Sequence, residues 1–321
     1  MRSRPLGKTG IVVSEMALGT WGLSGDGWGS PSDAIDDKAT EAVIARALDI
    51  GFTLVDTADV YGGGKMEALL GRVLGSGTDK KDVTVVTRGG VERATDPPTK
   101  RFTLEYLRGA VERSLKRLKR DALDVYLLHN PSPDALSVGE AASAMDTLKK
   151  EGKLRHWGVS AGDLDVARAA VDKGAEVLSM TYNLLHQSDV NRIGGDLMVS
   201  RVGLLAHSPL SYGLLAGDWT KDTEFTEGDH RQERWTRLEL ERRVSDVGSL
   251  RHLVRGDVET LRGAAVRFVL SSHLVSAVIL GPKSEKQLTE LVRETGAGPR
   301  YLPDDDLREL TQSLEKAGIH V

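Results

Sequence analysis

The sequence predicts a (β/α)8 TIM barrel with an N-terminal β-hairpin and a long loop after strand seven. Three observations carry that prediction. Short apolar runs alternate with amphipathic helical stretches, the pattern of a parallel sheet covered by helices. Eight strand–helix units follow one another along the chain, enough to close a barrel. Four polar residues also stand at or just past apolar runs. Asp56 follows Thr53-Leu54-Val55, and Arg88 comes shortly after Val83-Thr84-Val85-Val86. His129 ends Val125-Tyr126-Leu127-Leu128, and Ser160 ends Trp157-Gly158-Val159. The carboxyl ends of barrel strands all face one mouth, so these residues are expected to meet in space.

The elements follow in order. Leu6 to Val13 reads as a short hairpin with Gly7 and Gly10 at its turn. Glu15 to Thr20 is the first barrel strand, and the glycine-rich loop after it carries Trp21 and Trp28. Ala42, Val43, Ala47 and Leu48 set an apolar stripe on the next helix. Leu54-Val55 is strand two, and Glu67 to Leu70 opens helix two. Leu104, Leu107, Val111, Leu115 and Leu118 recur at helical spacing and define helix three. Helix four runs from Leu136 to Lys150 and is ended by Gly152. Strand five is Leu154 to Val159, and Asp163 caps the helix from Leu164 to Lys173. Strand six is Val177 to Thr181, helix six lies within Ile193 to Ser200, and strand seven is Val202 to Ala206. Helix seven is Val258 to Leu270 and strand eight Val275 to Leu280. Helix eight begins at Ser284-Glu285-Lys286-Gln287, and Tyr301 to Lys316 adds a tail and a last helix.

The regular spacing breaks between Gly217 and Gly256, a charged stretch that holds Trp219, Phe225 and Trp235. A loop of this length has two readings: a surface insertion, or a flap over the barrel mouth whose aromatics touch a ligand.

Composition narrows the function classes. The 321 residues suit a single barrel domain spanning 1–321, with 40% apolar and 28% charged residues. A net charge of −4 gives no support to nucleic-acid binding. The run Lys116-Arg117-Leu118-Lys119-Arg120 sits at a helix end, where positive charge suits the dipole. The chain has no cysteine, which excludes disulfides, thiol catalysis and thiolate metal sites. Met1 to Gly10 holds no apolar signal core, and no apolar stretch approaches the ~20 residues of a membrane helix. A cytoplasmic protein without a membrane or metal requirement is the expectation.

Asp56, Tyr61, Arg88 and His129 suit proton transfer to a carbonyl oxygen. A free tyrosine has a pKa near ~10 and is a poor acid at neutral pH. A neighbouring cation lowers it, which assigns that part to Arg88, with Asp56 holding Arg88 in place. His129 then orients the carbonyl or shares the proton load. Each residue also has a plain structural reading: Asp56 as a helix cap, Tyr61 as loop packing, His129 as a satisfied strand-end histidine. Singly those readings win; four such groups at one mouth favour a site.

No Gly-x-Gly-x-x-Gly turn follows a strand, and no Walker-type loop is present, so a Rossmann reading is poor. A barrel is expected to grip phosphate near strands seven and eight. His207-Ser208-Pro209-Leu210-Ser211-Tyr212-Gly213 follows strand seven. Gly281-Pro282-Lys283-Ser284 follows strand eight at a helix N-terminus, where anions bind well.

Several segments together resemble the aldo-keto reductase superfamily. They include Leu18-Gly19-Thr20-Trp21, Val55 to Gly62, Asp124 to His129, Trp157 to Ser160, Tyr182 to Leu185, Ser208-Pro209-Leu210 and Leu280 to Glu290. The resemblance implies a TIM barrel and NADP(H)-dependent reduction of an aldehyde, ketone or keto-sugar, without metal or flavin. It places Asp56, Tyr61 and His129 on three positions of the family's Asp-Tyr-Lys-His tetrad, with Arg88 where the lysine belongs. It implies that Ser160 and Ser179 face the nicotinamide amide and that His207 replaces the aromatic stacked on the ring. Gly19, Thr20, Trp21 and Asp56 complete the wall on that side. Ser208, Leu210, Ser211 and Gly213 fall on the loop over the pyrophosphate. Gly281, Lys283, Ser284, Gln287 and Glu290 fall on the segment that holds the adenosine end. Trp21, Trp28, Tyr61 and His129 are the expected substrate contacts.

The departures are Arg88, Ala161 and Ser179 in place of the amide partners, His207, and Leu291 in place of an Asn. Arginine keeps the charge but is planar and prefers bidentate pairing with carboxylates. Two further readings stay open: a lyase or isomerase in the same barrel, and a nucleotide-binding regulator resembling the family's potassium-channel β-subunits. The mouth aromatics Trp21, Trp28, Trp219 and Trp235 suggest a ring-shaped or partly apolar substrate.

Overall fold

The computed structural model describes all residues except 26–34, 76–82, 93, 94, 96, 297, 299, 300, 317, 320 and 321. The N-terminal hairpin is β1 (Ser3–Pro5) and β2 (Val12–Ser14), paired antiparallel. The following strands are β3 (Met16–Gly19), β4 (Leu54–Asp56), β5 (Thr84–Gly89), β6 (Val91–Glu92), β7 (Thr99–Lys100) and β8 (Leu123–His129). Then come β9 (Leu154–Ser160), β10 (Val177–Thr181), β11 (Gly203–His207) and β12 (Val275–Leu280). All but the two antiparallel hairpins join one closed barrel in the order β3-β4-β5-β8-β9-β10-β11-β12, and β12 pairs with β3 to complete it. Every barrel pairing is parallel.

The helices are α1 (Asp37–Asp49), α2 (Lys65–Val73), α3 (Leu104–Leu118), α4 (Pro133–Ser137), α5 (Glu140–Lys150) and α6 (Leu164–Asp172). They continue with α7 (Ser188–Ser200), α8 (Arg237–Gly248), α9 (Leu261–Ser271), α10 (Glu285–Thr295) and α11 (Asp304–Lys316). Side-chain caps start many of them. Asp36, Thr103, Ser132, Asp163, Thr236, Thr260 and Ser284 each accept a hydrogen bond from a backbone N–H of the first turn.

Strand alternation divides the core in two. Ala17, Leu54, Val86, Val125, Leu127, Val177, Leu205, Ala277 and Ile279 fill the barrel interior, with Leu6 and Val13 of the hairpin. Their neighbours in sequence point outward and pack under the helices, as Val55, Val85, Tyr126, Leu128, Leu178 and Val278 do. Leu6 and Gly7 press on Gly203 at the start of β11, so the hairpin plugs the amino end and leaves the carboxyl end as the mouth.

Three expectations are revised. Helix four is two helices, α4 and α5, broken at Gly139 with φ 86°. Helix six is longer than expected and begins at Ser188, because Val190, Ile193 and Leu197 bury one face despite Gly194-Gly195. The stretch after β11 is not structureless: it contains α8, held by a capping box between Thr236 and Glu239. Among the described residues no helix is long and apolar enough to cross a membrane.

Candidate active site

Side chains on a strand point inward at every second residue. Leu54, Val86, Leu127, Val177 and Leu205 point into the barrel. Two residues further on, Asp56, Arg88, His129, Ser179 and His207 therefore form the next inward layer, at the mouth. Ser160 joins them, since it stands beside His129 in register.

Arg88 is the centre of this layer. Its Nη2 pairs with the Asp56 carboxylate, its Nη1 donates to Ser160 Oγ at 2.9 Å, and its Nε donates to the Thr57 carbonyl at 3.3 Å. Arg88 is 4% exposed and Asp56 5% exposed. Burial opposes the guanidinium charge, but the Asp56 carboxylate and the nearby Tyr61 offset it, and the pKa of Arg88 is raised. Arg88 remains a cation inside the mouth.

Tyr61 opens a short 3-10 turn, Tyr61–Gly64, on the loop between β4 and α2. Gly62, Gly63 and Gly64 follow at φ 56°, 65° and 94°, a left-handed run that residues with a Cβ rarely adopt. The structure corrects one electrostatic expectation here. Arg88 does pull the Tyr61 pKa down, but burial is the larger influence and Asp56 works with it, so the phenol is pushed up to about 12. His129 is lowered to about 3 by burial, then Arg88, Lys100 and His207. His207 is likewise lowered to about 3 by burial, with Arg88 and His186 adding to it. Both imidazoles are neutral at physiological pH and cannot act as imidazolium acids. His129 Nδ1 is buried without a hydrogen-bond partner.

The other anticipated residues divide by depth. Thr20 and Ser179 have no exposed surface. Thr20 Oγ1 donates to the Asp56 carbonyl at 3.0 Å and lies 2.9 Å from Thr57 Oγ1, so it braces the wall rather than lining it. Ser179 Oγ, in the same layer, is buried without a hydrogen-bond partner. Gly19 packs on Ile279, where a Cβ would lie 2.6 Å from Ile279 Cγ2. Gly281 has open space around it.

After β11 the backbone itself is unusual. Ser208, Ser211 and Tyr212 take φ of 55°, 46° and 61°, and Gly213 follows at 101°. Non-glycine residues held this way cost about 1–3 kcal/mol each and concentrate at functional sites. The turn closes on itself, with the Ser211 N–H donating to the Ser208 carbonyl and the Gly213 N–H to the Leu210 carbonyl, both at 3.0 Å. Asn183 Nδ2 donates to the Ser208 carbonyl at 2.9 Å and holds the turn from below. The resemblance carries no role for Asn183, although Tyr182 to Leu185 is one of the segments on which it rests.

At the start of α10, Ser284 Oγ accepts from the Gln287 N–H at 3.2 Å, and Gln287 Oε1 accepts from the Lys283 N–H at 2.8 Å. The Lys283 side chain lies along Gly22, 3.6 Å from where a Cβ there would stand. Glu290 lies 3.9 Å from both Arg262 and Lys286.

The insertion after β11 covers this end of the mouth. His230 sits edge-on to Trp21 at 4.7 Å between ring centres and to Tyr212 at 5.7 Å. Trp235 meets Tyr212 and Trp219, and Trp219 meets Phe225. Arg234 lies 3.7 Å from the Tyr212 ring centre. From the insertion, His230 packs on Trp21, and His230 and Trp235 pack on Tyr212 of the strained turn. Trp28 lies outside the described residues.

The comparisons with known proteins agree with this geometry. The Aldo/keto reductase family model matches residues 15–315. The chain belongs to that family. Its members are oxidoreductases of carbonyl compounds that use nicotinamide cofactors. An aldo-keto reductase of Bacillus subtilis is 27% identical over 98% of this chain and 94% of its own length. An NADH-specific methylglyoxal reductase of Escherichia coli is 27% identical over 98% of this chain and 100% of its own. Among solved structures, a glycerol dehydrogenase from Gluconobacter oxydans superposes with a TM-score of 0.82 at 25% identity, covering 99% of this chain and 97% of its own.

The donor set fits a nicotinamide dinucleotide. Ser160 Oγ accepts from Arg88 and keeps its own proton to give to a carboxamide oxygen. In the 208–213 turn the Ser211 and Gly213 amides already donate to the Ser208 and Leu210 carbonyls, and the N-terminus of α10 beside Lys283 suits an anion.

Proposed function

We propose that this protein is an NADP(H)-dependent carbonyl reductase in which Tyr61 gives the proton to the substrate oxygen. The observation that carries the proposal is Arg88, which touches Asp56 and Ser160 while its charge acts on Tyr61, His129 and His207. One cation thus organises both the proton donor and the wall where the nicotinamide would lie. The bound cofactor supplies the hydride; this chain's residues handle the oxygen.

His129, neutral, donates a hydrogen bond to the carbonyl and fixes its orientation. Arg88 adds positive charge where negative charge grows on that oxygen. A phenol near 12 remains a competent acid for this step, because the alkoxide that forms is a much stronger base than phenolate. A depressed tyrosine pKa is not required for reduction. It would matter for the reverse reaction, in which phenolate must take the proton from an alcohol.

Lys283 beside a helix N-terminus supports preference for the phosphorylated cofactor, although one relative is NADH-specific. The aromatics around Trp21 support a ring-shaped or partly apolar carbonyl compound. The test is absorbance of NADPH and of NADH against a panel of aldehydes, ketones and keto-sugars. Consumption with at least one compound, faster with NADPH, is expected. Tight nucleotide binding with no consumption across the panel would overturn the assignment, and turnover without net consumption would mean a lyase or isomerase.

A further inference from the structure

We propose that Arg117, on α3 outside the barrel, is a positioning residue for Tyr61: with Glu67 it clamps the start of α2, and the turn that carries the phenol, to the strand that carries Arg88. The inference rests on the reading of Tyr61 as the proton donor. Arg117 and Glu67 take no part in the mouth chemistry.

Tyr61 is held by its backbone. Its N–H donates to the Ala58 carbonyl at 3.2 Å, and its carbonyl accepts from the N–H of Lys65, the first residue of α2. Gly62, Gly63 and Gly64 stand between them and have no side chains with which to grip the wall. The place of the phenol therefore follows the place of the first turn of α2.

A buried carboxylate fixes that turn from outside. Glu67 stands in the first turn of α2 and has no exposed surface. Its Oε1 accepts from Thr87 Oγ1 at 2.7 Å, and its Oε2 accepts from Arg117 Nη1 at 3.0 Å. Thr87 precedes Arg88 on β5 and is also fully buried. Side chains alternate along a strand, so Thr87 meets α2 while Arg88 faces the mouth. One carboxylate thus joins α2, α3 and β5.

Arg117 does more than balance this charge. A Cβ on residue 64 would collide with Arg117 Cζ and lie 2.6 Å from its Nε and 2.7 Å from its Nη1. The guanidinium fills the space that a side chain at Gly64 would need. Seven residues on, and so on the same face of α2, a Cβ on Gly71 would collide with the Arg117 carbonyl oxygen. α2 lacks a side chain at both places where Arg117 rests on it. Without the guanidinium, Glu67 is a buried carboxylate with a hydroxyl in place of a cation. An uncompensated buried charge is costly and relaxes towards water. The first turn of α2 moves with it, and the Tyr61 carbonyl is bonded to that turn. Misplacing a reacting group by ~1 Å costs up to about a hundredfold in rate.

The experiment compares wild type, Arg117→Ala and Arg117→Lys, each also in the Tyr61→Phe background, with melting temperatures measured throughout. Arg117→Ala should lose about tenfold in carbonyl-reduction kcat, with KM for NADPH changed less than about twofold. Arg117→Lys keeps a cation for Glu67 and so keeps the fold, but an ammonium cannot lie along Gly64 as a planar guanidinium does. A kcat loss of about threefold should remain in it, at a melting temperature near that of wild type. In the Tyr61→Phe background either substitution should cost less than about twofold more, because it acts through the phenol. Fluorine NMR of fluorotyrosine-labelled protein reads the place of Tyr61 without turnover. Its signal among the six tyrosines is identified by its loss in Tyr61→Phe. Arg117→Ala should shift and broaden that signal, and Arg117→Lys should shift it less. An unmoved signal, with kcat falling only as far as the folded fraction falls, overturns the proposal. So does an Arg117→Ala loss that persists in full in a Tyr61→Phe background that is itself slow. If the signal moves while Tyr61→Phe is as active as wild type, the clamp on the turn stands and the donor reading falls.

Discussion

The two halves of the barrel mouth are built by different means. At the ends of β4, β5 and β8 the site is made of side chains: Asp56 and Arg88, buried and paired, with His129 beside them. At the ends of β11 and β12 it is made largely of backbone, with Ser208, Ser211 and Tyr212 in left-handed conformations and Lys283 at a helix start. In the proposed function the first half moves protons, and it depends on charge balance in a low dielectric. In the same proposal the second half holds the cofactor's anionic groups, and it depends on chain geometry. A substitution in the first should therefore disturb folding and chemistry together, and one in the second should disturb affinity alone.

The largest expected difference comes from Arg88→Ala. It leaves the Asp56 charge buried without its partner, a change that costs about 3–5 kcal/mol. The guanidinium chloride midpoint should fall accordingly, at an unchanged slope. Lys283→Ala, at the other half, should leave that midpoint almost unmoved; an equal fall would erase the contrast.

Next is the pH dependence of the reverse reaction. With Tyr61 at about 12, the phenolate fraction rises about tenfold per pH unit through the neutral and alkaline range. Alcohol oxidation should follow that slope between pH 7 and 10. A plateau beginning near neutrality would mean that Arg88 outweighs burial when the cofactor is bound.

Smaller is the cofactor effect. Lys283→Ala should weaken NADPH about tenfold, the scale of one charge-assisted hydrogen bond at a partly exposed site, and NADH much less. Equal losses would remove the phosphate assignment. Smallest is the flap: Trp235→Ala deletes edge contacts worth about 0.5–1.5 kcal/mol each. Faster nucleotide release by about threefold to tenfold, measured by stopped-flow fluorescence, is the expected result.

The same contrast explains what was legible in the sequence. Asp56, Arg88, His129 and Ser160 are visible because strand periodicity and residue type suffice to place them: each lies two residues beyond an inward-facing position. The eight strands are visible for the same reason. Tyr61's raised pKa was not visible, since burial against Asp56 is a property of the assembled mouth. Nor was the left-handed turn at Ser208 to Gly213, because only Gly213 advertises its conformation. Thr20 looked like a lining residue by position, yet its hydroxyl is spent on Asp56 and Thr57 in the wall. Within the Gly217 to Gly256 stretch, the Thr236/Glu239 capping box was readable, but charge masked the helix it starts.

The central claim is that the phenol of Tyr61 delivers the proton at this mouth. It is tested most directly by single-turnover oxidation of enzyme-bound NADPH with a carbonyl substrate, wild type against Tyr61→Phe, with nucleotide affinity measured on the same samples. A rate lower by about 10²–10⁴, at unchanged NADPH affinity, is the predicted result. An undiminished rate in Tyr61→Phe would contradict it.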